Sequence, residues 1–108
     1  MERARIEHAV SEAVGRLAAA FSPMAIYQFG SSLPGRSAEP GDLDLVVVVP
    51  SSSESFYARG ARAYKALIGL GVPVDVQVYT RAEFESRAAW PASFEERVQA
   101  EGRKVYAA

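Results

Sequence analysis

The stretch FGSSLPGRSAEPGDLDLVVVV, residues 29–49, joins a glycine turn, a loop rich in proline and serine, and an apolar run. Residues 43–49 are the clearest strand of the chain, because β-branched residues favour strands and Pro50 ends the run. Continuous hydrophobicity predicts that both faces of this strand are buried. Two prolines and two glycines in residues 31–41 are typical of a loop or a brief helical turn.

Hydrophobic periodicity on either side predicts the remaining elements. Apolar residues recur at three- and four-residue spacing in the first two predicted helices, and residues 72–79 (VPVDVQVY) alternate as in a strand with one buried face. The predicted helices are 3–21, 53–68, 81–87 and 93–100, and the predicted strands are 24–29, 43–49, 72–79 and 104–106. The resulting order indicates an α/β fold in which one sheet packs against helices. Parallel and antiparallel pairing both remain open at this stage.

The second predicted helix has an apolar stripe and a basic face. The expected apolar stripe consists of Phe56, Tyr57, Ala61, Tyr64, Leu67 and Ile68. Three basic residues, Arg59, Arg62 and Lys65, are interpreted as a solvated face, and the tyrosines are interpreted as packing residues.

Length and composition limit the classes of function. A chain of 108 residues has the size of one domain, residues 1–108, with a packed core. Twelve basic and 13 acidic residues give a net charge of −1, so charge predicts neither a nucleic-acid nor a membrane partner. The sequence contains no apolar membrane span and no signal-peptide pattern, which predicts a cytoplasmic protein. The absence of cysteine excludes thiol catalysis and cysteine-ligated zinc.

Three aspartates indicate a metal site. Asp44 lies inside the apolar strand, where an unpaired charge costs several kcal/mol to bury. Asp42 lies two residues earlier on the same face, and Asp75 interrupts the valines of the next strand. A divalent cation would relieve their repulsion, and carboxylate oxygens suit Mg²⁺ or Mn²⁺. The alternatives are that Asp42 is a turn residue and that Asp44 or Asp75 pairs with an arginine.

The turn at Gly30 and Ser31 indicates an anion site next to this cation site. Glycine allows the backbone to approach a ligand closely, and successive N–H groups with a serine hydroxyl can hold phosphate oxygens. Together the two sites would bind a nucleoside triphosphate and align it for attack at phosphorus.

The motif Gly30-Ser31, a loop, then Asp42-x-Asp44 on a strand resembles the signature of minimal nucleotidyltransferase domains of the DNA polymerase β-like superfamily. PVDVQV, around Asp75, resembles the family's third-carboxylate strand, and EGRKVY resembles its usual ending. The resemblance covers nearly the whole chain and implies the polymerase β-like α+β fold, with a small mixed sheet packed against helices.

The resemblance also implies roles for these residues. Asp42 and Asp44 would bind both catalytic metals, Asp75 would bind the metal that activates the acceptor hydroxyl, and Gly30 with Ser31 would hold the outer phosphates. The implied reaction transfers a nucleoside monophosphate, most often AMP from ATP, and uses Mg²⁺ or Mn²⁺.

Two positions depart from the family's pattern. Gly41 stands where serine is frequent, and Pro34 stands where the loop often has arginine. Neither position supplies a carboxylate. The departures predict weaker phosphate binding or a compensating contact from Arg36.

The family resemblance further implies a biological role, because such domains are commonly antitoxins that adenylylate a HEPN-type partner protein. One alternative is a non-catalytic antitoxin that neutralises the HEPN partner by contact. The other is nucleotidyl transfer to a small molecule of the aminoglycoside type, for which 108 residues leave little room for an acceptor pocket.

Overall fold

The computed structural model describes residues 1–108 as one four-stranded sheet with four helices. The helices are α1 (Arg3–Phe21), α2 (Phe56–Ala66), α3 (Arg81–Ala88) and α4 (Phe94–Glu101), and the strands are β1 (Ala25–Phe29), β2 (Leu43–Val49), β3 (Val74–Thr80) and β4 (Arg103–Ala107). The strand order is β3-β2-β1-β4. Only β2 and β3 are parallel, so the sheet is mixed as expected. The architecture confirms the α+β prediction and is compatible with the polymerase β-like fold.

Alternation along the strands gives the sheet one face that is apolar except for the buried Gln28 of β1. Leu43, Leu45 and Val47 of β2 and Val76 and Val78 of β3 lie on this face and are buried. Helices α1 and α2 cover it, and α1 contributes a stripe at three- and four-residue spacing. That stripe consists of Ile6, Ala9, Val10, Ala13 and Leu17.

The opposite face is covered over only part of its length. Val46 and Val48 of β2 pack there with Tyr79, Phe84 of α3 and Val98 of α4. Asp44 shares this face, since it lies two residues before Val46. Asp44 therefore lies on the same face as a small core cluster, at the N-terminal end of β2.

The predicted apolar stripe of the second helix is wrong except at Leu67, which is buried as expected. Tyr57 and Ile68 are 86% and 74% exposed, whereas Arg59 and Ala63 are buried. The Arg59 guanidinium tolerates burial because it donates to the Val78 carbonyl and to the Glu54 carbonyl and pairs with Glu83. The interpretation of Arg59 as a solvated residue is therefore also wrong, and the reason is that charge alone does not determine which face of a helix packs.

Two turns position the ends of the long elements. Ser22 adopts a left-handed conformation (φ 47°) and ends α1, and its N–H donates to Ala18. Thr80 and Glu83 form a capping box that starts α3 directly after β3. No helix is both long and apolar enough to cross a membrane.

Candidate active site

The parallel pairing of β2 and β3 places two of the predicted carboxylates side by side. Asp44 and Asp75 are register partners, flanked by the pairs Leu43 with Val74 and Leu45 with Val76. Register partners carry their side chains on the same face of a sheet. The sequence does not determine whether β2 and β3 are neighbours. In the structure they pair, and the two aspartates lie side by side.

Electrostatics at this pair are unfavourable for ionised carboxylates. Burial raises the pKa of Asp44, and the negative charges of Asp75 and Asp42 raise it further. The alternative that Asp44 or Asp75 pairs with an arginine is not realised, because neither takes part in an ion pair. This end of the sheet therefore has negative charge without a cation from the protein.

The turn after β1, residues Gly30–Ser32, lies directly against Asp44. Phe29, the residue before the turn, is the register partner of Asp44 in the antiparallel pair of β1 and β2. Gly30 has φ +82°, and a Cβ added there would collide with Oδ2 of Asp44. Glycine is therefore required at this position for two reasons, the backbone conformation and the close approach to the carboxylate.

Side chains from α1 and β1 hold the far end of this turn. Arg3 Nη1 donates to the Ser32 carbonyl over 2.7 Å, and its Nη2 donates to the Leu33 carbonyl over 3.3 Å. The Gln28 amide donates to the carbonyl and to the hydroxyl of Ser32, both over 3.0 Å. Gln28 and Ser32 are fully buried, and the Gln28 Oε1 atom has no hydrogen-bond partner. These bonds fix the backbone directly after Gly30 and Ser31, the residues predicted to hold phosphate.

The remaining predicted residues lie around the turn. Ser31 is exposed, and its hydroxyl accepts a hydrogen bond from the Gly41 N–H over 3.4 Å, immediately before Asp42. Asp42 is exposed at the start of β2. Arg36 is exposed and pairs with Glu101 over 3.5 Å. Since exposed pairs contribute little, this pairing leaves Arg36 free to exchange partners, and its contact with phosphate stays a prediction.

A pocket of about 210 Å³ opens over the carboxylates and the turn. Gly30, Asp44 and Asp75 line it, together with the aromatic rings of Phe29 and Phe94. The two rings meet edge to face with centroids 5.5 Å apart. The pocket thus has a polar floor and an apolar wall, which is the usual composition of a ligand site.

A second hollow of about 320 Å³ adjoins the first pocket across Gln77. Its lining includes Phe56, Tyr79 and Arg87, but neither the paired aspartates nor the glycine turn. The smaller pocket is therefore the candidate active site, because it contains the carboxylates of Asp44 and Asp75, which have no ion-pair partner in the protein.

The oxygen donors of this pocket fit a hard divalent cation bound together with phosphate. No group of three acidic or histidine side chains is gathered closely enough to hold a metal ion by itself. Mg²⁺ does not need such a cage, because it keeps several waters and usually binds one or two carboxylates plus substrate phosphates. Asp44 and Asp75 are a pair of this kind, and the roles of Asp42, Asp44 and Asp75 as metal ligands stay predictions.

One residue of the site has no signal in the sequence pattern. Tyr64 of α2 donates from its hydroxyl to Oδ1 of Asp75 over 2.6 Å, although it was interpreted as a packing residue. Only the crossing of α2 beside the edge strand β3 brings the two residues together. By contrast, Gln28 had a signal that was missed, since a buried amide within the strand AIYQF needs a partner just as Asp44 does.

Comparison with protein families agrees with this geometry. The family model described as nucleotidyltransferase domain matches residues 10–106, nearly the whole chain. No curated protein and no solved structure gives a significant match.

Proposed function

Because the chain belongs to the nucleotidyltransferase domain family, we propose that it transfers AMP from ATP to a hydroxyl group of a partner protein. A nucleoside triphosphate as substrate and transferase activity follow from the family. The choice of ATP, the acceptor and the residues that act are the proposal.

One observation carries the assignment of the site. Asp44 and Asp75 are register partners on parallel strands, and the Gly30 backbone approaches the Asp44 carboxylate so closely that no side chain fits between them. The turn proposed to bind the anion is therefore in direct contact with the pair proposed to bind the cation. A triphosphate with its divalent metal has both charges in the same molecule, which makes it the ligand that this arrangement suits best.

The proposed chemistry is one in-line displacement. The acceptor oxygen forms a bond to the α-phosphorus, the bond from that phosphorus to the bridging oxygen breaks, pyrophosphate leaves, and the acceptor proton passes to solvent. A cation bound at Asp44, Asp75 and Asp42 would neutralise the charge that develops on the phosphate oxygens. Gly30 and Ser31 would hold the outer phosphates, with Arg36 as an additional contact.

For the acceptor, we propose a HEPN-type partner, so that the chain acts as the antitoxin of a toxin–antitoxin pair. The outward side of α2 and of the turn that follows it supports a protein partner, because Tyr57 and Ile68 are largely exposed there. The same surface favours a second candidate function, neutralisation of the partner by contact without turnover. Trp90, which is 73% exposed, adds to the surface available for binding.

An incubation with α-labelled ATP, Mg²⁺ and the product of the neighbouring gene tests both candidates. The proposal predicts label on the partner with wild-type protein and none with Asp44→Asn. Glu12→Gln is the matched control, since it also removes one negative charge but lies on α1 in an exposed pair with Arg16. Toxicity of the partner is measured in parallel. Full neutralisation by Asp44→Asn would support action by contact and would refute the enzymatic proposal.

A further inference from the structure

The hydroxyl of Tyr64 connects α2 to the edge of the sheet at Asp75. It donates to Oδ1 of Asp75 over 2.6 Å, and its oxygen accepts the Val76 N–H over 3.3 Å. β3 is an edge strand, so the Val76 N–H needs a partner from outside the sheet. Tyr64 therefore satisfies an edge donor and holds the neighbouring carboxylate at the same time.

Without this bond Asp75 has little to fix its side chain. Asp75 is exposed, makes no ion pair, and faces the negative charge of Asp44 across the register pair. Repulsion between the two carboxylates favours rotamers of Asp75 that point away from Asp44. The Tyr64 hydroxyl lies at the outer edge of β3 and restrains the side chain of Asp75, since it engages Oδ1, while Oδ2 makes no hydrogen bond.

We propose that Tyr64 is a positioning residue, which holds the Asp75 carboxylate at the orientation needed for divalent metal. The inference rests on the proposed function, since it requires Asp75 to bind the metal. Partners of this kind orient the groups that ligate a metal, and their loss typically weakens metal affinity or activity about 10- to 100-fold.

The contacts of Tyr64 suit a fixed donor better than an acceptor of the nucleotidyl group. Its oxygen already has two hydrogen-bond partners, Asp75 and Val76. The hydroxyl therefore serves as a donor to Asp75 and as an acceptor for the Val76 N–H.

Mn²⁺ binding tests the inference without relying on turnover. The protein is titrated with Mn²⁺ in the presence of a non-hydrolysable ATP analogue, and water proton relaxation reports the metal that is bound to protein. Tyr64→Phe should weaken Mn²⁺ binding about tenfold. Tyr57→Phe is the matched control, because Tyr57 is on the same helix, is 86% exposed, and its hydroxyl makes no hydrogen bond. Its Mn²⁺ affinity should equal that of the wild type.

A double-mutant cycle with Asp75→Ala separates positioning from a purely structural role. If Tyr64 acts through Asp75, Tyr64→Phe should not weaken Mn²⁺ binding further in the Asp75→Ala background. In the metal-free protein, the effects of the two substitutions on thermal unfolding should likewise be non-additive.

The outcomes distinguish the two proposals. Equal Mn²⁺ affinity of wild type and Tyr64→Phe would overturn the positioning role and leave the proposed function intact. Absence of Mn²⁺ binding by the wild-type protein would overturn the proposed function and, with it, the role of Tyr64. Additive effects in the cycle would overturn the role of Asp75 as the group through which Tyr64 acts.

Discussion

The Gly30–Ser32 turn and the pair of Asp44 and Asp75 lie against each other, but the protein holds them to different degrees. Arg3 and Gln28 donate four hydrogen bonds to the turn and the residue that follows it. The aspartate pair receives one side-chain hydrogen bond, from Tyr64. The turn is thus supported from inside the molecule, whereas the carboxylates meet at an open end of the sheet.

This difference indicates which half of the site is formed before ligand binds. A fixed turn can take up phosphate with little additional loss of backbone entropy. Two close carboxylates remain mutually repulsive until a cation neutralises them. Metal and triphosphate are accordingly expected to bind cooperatively, each at a half-site that the other completes.

The largest effect is expected at the carboxylates, from Asp44→Asn. The variant keeps the shape of the side chain but removes its charge, so transfer of AMP should fall by about a thousandfold, equivalent to several kcal/mol of charge stabilisation. Its thermal stability without metal should equal or exceed that of the wild type, because repulsion from Asp75 and Asp42 is relieved. Labelled transfer and thermal unfolding measure the two quantities. Wild-type activity in this variant would contradict the assignment.

Gly30→Ala should disrupt both halves at their point of contact. The added Cβ collides with the Asp44 carboxylate, and the alanine must adopt φ +82°. We therefore expect a loss of about 1–3 kcal/mol in stability. Transfer should fall about 100-fold, because the turn and the carboxylate can no longer approach. Gly35→Ala is the control, since Gly35 also has positive φ (+78°) but no atom lies near its added Cβ. Equal loss of activity in both variants would indicate backbone strain alone.

Gln28→Leu should affect the turn without affecting the carboxylates. It removes two hydrogen bonds to Ser32 but also removes the unpartnered Oε1, so stability should change by no more than about 1–2 kcal/mol. The KM for ATP should rise about tenfold while kcat changes less, because phosphate binding loses a preorganised turn. Steady-state kinetics provide the measurement. A fall in kcat at unchanged KM would contradict this division of roles.

The smallest effect on activity, with a pH-dependent effect on stability, is expected at Glu83. Burial raises the pKa of Glu83. Hydrogen bonds from Arg59 and Thr80, together with the positive charge of Arg59, outweigh this effect and lower the pKa below its ordinary value of 4.5. The stabilisation by Glu83 is therefore present above pH 4.5 and is lost as pH falls through the lower folded pKa. Thermal unfolding of Glu83→Gln should show a deficit relative to wild type at pH 7 that diminishes below pH 4.5. A constant deficit at all pH values would exclude the ionised pair as its source.

The sequence predicts the framework of the site because single residues depart there from local rules. Asp44 is a charge within a buried strand, and Gly30 follows a strand directly, so each position needs an explanation. The pairing of Asp44 with Asp75 depends on which strands are neighbours, and local periodicity does not contain that information.

The partners of these residues were harder to predict for a related reason. Arg59 and Tyr64 owe their environments to the way α2 packs beside β3. In the sequence, Arg59 has the same helical spacing to Arg62 as a solvated charge would have, and only Glu83 and the Val78 carbonyl make its burial favourable. Tertiary packing therefore determines the contacts of Arg59 and Tyr64, whereas the local sequence is enough to select Asp44 and Gly30 as candidate site residues.

The most direct test of the proposed site is anomalous diffraction from Mn²⁺ in crystals grown with a non-hydrolysable ATP analogue. We expect a Mn²⁺ peak within ligand distance of carboxylate oxygens of Asp44 and Asp75, with the phosphates of the analogue on the N–H groups of the Gly30–Ser32 turn. A metal bound elsewhere, or phosphates away from the turn, would contradict it.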